Sequence, residues 1–178
     1  DSIELTSKGE TTIKVTPVID MKPEVTVVTA TGIEDTPTTI NGTTLQNAIK
    51  LNVSTTISAD SSEQFQNIIL DEVPNGFTVW YKDSGNNLVM ATNIGKSGTG
   101  TFDLTPNIST DSLTHENKWL VPSLTGGVLP DIYINAPSNW SGEFDFKAQF
   151  TLKEQNLTTS EKTVVNVTGN IKAVADGV

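Results

Sequence analysis

Gly142-Glu143-Phe144-Asp145-Phe146-Lys147-Ala148-Gln149-Phe150-Thr151-Leu152 is the stretch whose reading decides the fold. Phe144, Phe146, Ala148, Phe150 and Leu152 fall on one side, and Glu143, Asp145, Lys147, Gln149 and Thr151 on the other. A strict period of two describes a strand with one buried face. Burying its three phenylalanines contributes on the order of 2 kcal/mol each. The same period runs through Ala48–Ser58, where Ile49, Leu51, Val53, Thr55 and Ile57 oppose Lys50, Asn52, Ser54 and Thr56.

Further strands are expected at Glu24–Thr29, Phe65–Leu70, Phe77–Tyr81, Leu88–Thr92, Thr101–Leu104, Trp119–Val121, Asp131–Asn135 and Thr163–Val174. Between them lie turn sequences, Val73-Pro74-Asn75-Gly76 and Asp83-Ser84-Gly85-Asn86-Asn87, the second a hairpin signal. Thr36–Gln46 reads as a polar connector, and Pro106–Asn117 as irregular chain with one helical turn at Ser112–His115. Roughly ten short strands, with turns every 8–12 residues, spell an all-β sandwich.

Composition agrees. Apolar residues make up 35% of the 178, aromatics are few, and Thr, Ser, Asn and Val are abundant. That mixture favours pleated strands and polar turns. The net charge of −10, from 21 acidic and 11 basic residues, disfavours nucleic acid and anionic membranes as partners. It suits recruitment of cations, although solubility alone also explains it. No apolar run approaches the ~20 residues that span a bilayer. The absence of cysteine fits a bacterial extracellular protein stiffened by something other than disulfides. Asp1-Ser2-Ile3-Glu4 has neither the basic region nor the apolar core of a signal peptide, so the chain reads as a piece of something longer.

Two segments repeat. TTIKVT at Thr11–Thr16 returns as TVVNVT at Thr163–Thr168, and Val18-Ile19-Asp20 returns as Val174-Ala175-Asp176. A seam that recurs, a strand running into a linker with one carboxylate, marks a tandem array of modules. Residues 1–20 are then either the closing strand of a preceding module or a first strand plus linker. Residues 21–178 form a single sandwich with an extended loop region at 82–118.

Seven carboxylates stand at expected strand ends or in linkers: Asp20, Glu34, Asp35, Asp60, Glu63, Glu154 and Asp176. Calcium takes about six to eight oxygens, mostly carboxylate and carbonyl, from flexible loops. Asp60-Ser61-Ser62-Glu63 offers two carboxylates and two hydroxyls in one turn. The plainer reading is that strand ends collect Asp and Glu for solvation and turn geometry. Catalysis has little to work with. The one histidine, His115, sits in a polar loop, and without cysteine no nucleophilic triad or histidine metal site assembles. Gly95-Lys96-Ser97-Gly98-Thr99-Gly100 lacks the residue order of a phosphate loop and a following helix. The chain reads as no enzyme.

Several ordered motifs carry a family resemblance. Thr31-Gly32-Ile33-Glu34-Asp35-Thr36, Ile57–Glu63, Val73-Pro74-Asn75-Gly76-Phe77, Trp119 followed by Ile132–Phe144, and Val174-Ala175-Asp176-Gly177 together resemble a repeat module of the giant bacterial RTX adhesins. Ser61 and Ser62 depart from that pattern, which has Asp and Gly there, and Gly177-Val178 lacks its proline. The resemblance implies a type I-secreted, extracellular module at the bacterial cell surface, with an Ig-like or cadherin-like sandwich. Such modules serve cell adhesion or biofilm formation. It also implies Ca2+ at the seams, with the seven carboxylates as ligands and neighbouring modules of the same chain as partners. The implied module is a monomer that inserts into no membrane. It acts either as a spacer or as a ligand-binding unit that takes a glycan or peptide through Lys82–Lys118. Exposed Trp80, Trp119 or Trp140 would serve the second role by stacking on a sugar; packing roles are the alternative for each.

Overall fold

The computed structural model describes residues 24–28, 30–56, 63–95, 117–154 and 160–175. Its spine is a pair of 13-residue strands, β14 (Gly142–Glu154) and β15 (Ser160–Lys172). They pair antiparallel from Gly142↔Ile171 to Lys153↔Ser160. The expected alternation holds: Phe144, Phe146, Ala148, Phe150 and Leu152 are all buried. Thr151, expected on the solvent side, is instead fully enclosed. At that point the neighbouring edge passes from β7 (Glu63–Phe65) to β8 (Ile68–Asp71), and the Gln66 N–H donates to the Thr151 carbonyl.

The chain forms β1 (Glu24–Val28), β2 (Ala30–Ile33), β3 (Thr38–Ile40), β4 (Thr43–Leu45), β5 (Ala48–Lys50) and β6 (Asn52–Thr56) before β7. Between β8 and β14 it forms β9 (Thr78–Lys82), β10 (Leu88–Met90), β11 (Thr92–Asn93), β12 (Trp119–Val121) and β13 (Ile132–Asn135). One sheet has the order β11-β12-β8-β14-β15-β2, with β7 also on β14; the facing sheet has the order β10-β9-β13-β5. Between them lies the core, from Phe146, Phe150 and Leu152 on one side to Val79, Ile132 and Ile134 on the other. This is an all-β sandwich, as expected.

The opening strand divides between the layers. β1 pairs antiparallel with β6, whereas β2 pairs parallel with β15. Gly32 lets β2 pack closely against β5 of the facing sheet, because a Cβ there would lie 2.8 Å from Ile49 Cγ1.

Three details differ from the sequence reading. The connector Thr36–Gln46 contains the β3–β4 hairpin, turned by Asn41-Gly42 with φ of 47° and 85°. That is the left-handed pair an Asn-Gly turn supplies. The strand expected over Ala48–Ser58 is two strands. Ile49, Leu51 and Val53 keep one parity throughout, but the partner changes after the Leu51 N–H bonds to the Ile132 carbonyl. A period of two reports the buried face and is blind to the partner. Phe65–Leu70 is likewise broken at 66–67. Of the loop region 82–118, residues 82, 88–90 and 92–93 are strand, and 96–116, with His115, lie outside the described residues.

Candidate metal centre

β7 begins at Glu63 and β14 ends at Glu154, and the register sets the two directly opposite. The pair two residues further in, Phe65↔Leu152, is buried in the core, so the glutamates point inward by the same parity. Exposure falls to 5% for Glu63 and 3% for Glu154. Glu154 Oε2 is buried and makes no hydrogen bond. Directly opposed residues carry Cβ atoms about 5 Å apart, close enough for two carboxylates to repel strongly away from water. A buried carboxylate oxygen without a hydrogen bond, such as Glu154 Oε2, favours a cation beside it.

Glu34 and Asp35 sit elsewhere. They follow β2, where the Glu34 N–H donates to the Lys172 carbonyl at 2.9 Å. Glu34 is 6% exposed; Asp35 is on the surface with a left-handed φ of 58°. Lys172 adjoins the Gly142 end of β14, while Glu154 closes its other end. At about 3.3 Å per residue, the two acidic places stand roughly 40 Å apart, at opposite poles of the sandwich. The fold thus joins Glu63 with Glu154 and separates both from Glu34 and Asp35. Asp20, Asp60 and Asp176 lie outside the described residues. Among the described residues no group of three or more His, Cys, Asp or Glu converges.

The Glu63–Glu154 pair supplies hard oxygen donors, and Glu154 Oε2 is buried without a hydrogen bond, the donor chemistry that calcium prefers. No fuller coordination geometry follows from two side chains.

Other buried polar residues escaped the sequence reading. Asn47, 2% exposed, donates through Nδ2 to the carbonyls of Pro137 (3.0 Å) and Trp140 (2.9 Å). Its own N–H donates to Asn135 Oδ1 at 3.1 Å. This clamp holds the turn Pro137–Trp140, closed by the Trp140 N–H on the Pro137 carbonyl. Asp71 is 5% exposed, accepts the Glu72 N–H through Oδ1 and leaves Oδ2 buried without a hydrogen bond. Only its place after the apolar run Ile68–Leu70 hinted at burial.

The tryptophans pack. Trp119 is 6% exposed. Trp140 meets Phe77 edge-on at 4.8 Å. Trp80 leans on the small cluster of Leu45, Leu88 and Tyr133, with Nε1 donating to Thr78 Oγ1.

No family model and no curated protein matches the chain. Among solved structures it is similar to a conjugative transposon lipoprotein from Bacteroides eggerthii, at 7% identity and a TM-score of 0.31. The match spans 82% of this chain and 96% of that one, and at that score it carries no argument. No helix among the described residues is long and apolar enough to cross a membrane.

Proposed function

We propose that the chain is a calcium-stabilised extracellular module of a large bacterial surface adhesin, working as a spacer. The observation that carries this reading is the buried, face-to-face pair Glu63 and Glu154. The direction of the chain adds support. β1 starts beside Thr56, near the Glu63 pole, and β15 ends beside Ile33, at the Glu34 pole. A described course that starts at one pole and finishes at the other suits end-to-end stacking, with cations stiffening the joints. The packing roles of all three tryptophans favour a spacer over a sugar platform.

Thermal melting in calcium and then in EGTA tests the reading. Binding to the native state alone adds RT ln(1 + [L]/Kd), about 2.7 kcal/mol at a hundredfold excess over Kd. For a domain of this size that is a rise of about 5–10 °C. Glu154→Gln sharpens the test by its sign. If calcium holds the pair, the variant loses the calcium response. In EGTA it melts higher than the parent, because one of two facing charges is gone. A parent whose midpoint ignores calcium refutes the proposal.

A further inference from the structure

We propose that β1–β2 and β15 form a shear clamp, which makes the sandwich a tension-carrying link when it is pulled at its two poles. A pull along the chain then meets many backbone hydrogen bonds at once instead of one after another.

β1 and β2 run the same way, because the single residue between them leaves no room for a hairpin. β2 runs parallel to β15, in register from Gly169↔Ala30 to Lys172↔Ile33. The Glu34 N–H on the Lys172 carbonyl adds a bond beyond the last pair. Parallel pairing decides the direction of strain. A pull that enters through β1 at the Glu63 pole and leaves through β15 at the Glu34 pole draws the two strands past each other along their own axes. Every bond of that ladder lies across the motion, so all of them are strained together. Two directly opposed residues of an antiparallel pair, pulled apart, would instead open their ladder one bond at a time.

The neighbouring strands reinforce the clamp. β1 is held by β6 through five pairs, from Glu24↔Thr56 to Val28↔Asn52. Twelve pairs fix β15 to β14, so β15 does not slide out first. β1–β2 is therefore the element that yields, and it must leave β6 and β15 in the same step. Val25 and Val27 rest on the core, and Gly32 sits close against Ile49. Core burial alone would resist equally in every direction, because hydrophobic attraction is non-directional. A clamp resists along one axis. That tension reaches the chain in use rests on the surface-adhesin reading; the clamp itself follows from strand order and needs no calcium.

The sequence has no cysteine, so introduced thiols are unique handles for single-molecule pulling. Thr26, Ser54, Ala173 and Val174 are exposed. Thr26→Cys with Val174→Cys loads the clamp in shear. Thr26→Cys with Ser54→Cys, on directly opposed residues of β1 and β6, peels the same strand. Both full-length proteins are pulled at one speed in EGTA, which keeps the result separate from the calcium melting test. All handles lie on the surface, so the two proteins should share one thermal midpoint and differ only in direction of pull. In shear, three pairs with β6 and four with β15 are strained together. The first rupture force should then be at least about twice that of the peel. The shear pull should also release the chain between its handles in one step, about 500 Å for roughly 150 residues. Ala173→Cys in place of Val174→Cys gives a second shear pair with the same expected ratio. Equal forces in the two geometries, or a shear pull that begins with a short, weak release of β1–β2, overturns the proposal.

Discussion

Gly169→Ala tests how the spine is packed. Gly169 lies opposite Phe144 on the inner face of the β14–β15 ladder. A Cβ at this position would stand 2.3 Å from Phe144 Cζ, 2.6 Å from Cε1 and 2.8 Å from Cε2, so the phenyl ring lies flat over the glycine. Retreat is costly for that ring. It is tilted against Phe77 at 5.1 Å, edge-on to Trp140 at 5.9 Å and stacked on Phe146 at 6.3 Å. Each aromatic contact contributes about 0.5–1.5 kcal/mol beyond burial. Overpacking a filled core costs about 1–3 kcal/mol. Against it stands the gain from replacing glycine in a strand, about 0.5–1 kcal/mol. Overpacking wins, and we expect a net loss of about 2 kcal/mol, or roughly 4–8 °C in Tm. Urea unfolding should show a lower midpoint with an unchanged slope, since the exposed surface hardly changes. In a Phe144→Leu background the same substitution should cost at least about 1 kcal/mol less, the signature of direct contact. A neutral or stabilising Gly169→Ala would refute the ring-over-glycine packing.

Three further outcomes follow from single residues. Asn47→Ala takes the Nδ2 donor from the Trp140 carbonyl and one of two donors from the Pro137 carbonyl, which keeps the Trp140 N–H, and should cost about 2 kcal/mol in urea unfolding; Asn47→Asp should give no rescue, because a carboxylate only accepts. Gly127→Ala should destabilise at least as much as Gly169→Ala in a thermal melt, since φ is +72° and the new Cβ would sit 2.8 Å from the Gln64 Cα, a backbone atom. The Tyr133 phenol is held above its ordinary value of 10.0 chiefly by burial, with Lys50 opposing and Asp131 reinforcing. The unfolded chain therefore releases this proton first, so the contribution is complete below about pH 10 and is lost as pH climbs through the raised folded value. Urea midpoints measured from about pH 9 upward should fall less steeply for Tyr133→Phe.

The legible part of this protein is parity, and the illegible part is partnership. Alternation along Gly142–Leu152 identified the buried face because each residue's side of the sheet is fixed locally. The same period, carried one step on, puts Glu154 on the face of Phe150 and Leu152, and Glu63 shares parity with Phe65. Burial of both glutamates was thus written in the chain, but strand-end acidity masked it as ordinary solvation. Their meeting was not written there. It depends on the register of β7 against β14, which is set by the long-range fit of Phe65 and Leu152 in one core. The separation of Glu34 and Asp35 from that pair has the same origin. All four look alike as carboxylates beside strands, and only the order β7-β14-β15-β2 assigns them to two poles. Asn41-Gly42 was readable turn chemistry, yet the Thr-rich arms Thr38–Ile40 and Thr43–Leu45 are too short and polar to show an apolar period. Asn47 had no local signal, because a buried amide is justified only by the carbonyls it meets some 90 residues later. A cavity beside β6 belongs to this second kind of information. Leu51, Val53 and Thr55 announce an inward face, and nothing in their alternation tells that β13 parts from them at Leu51 and leaves Glu63 lining the gap.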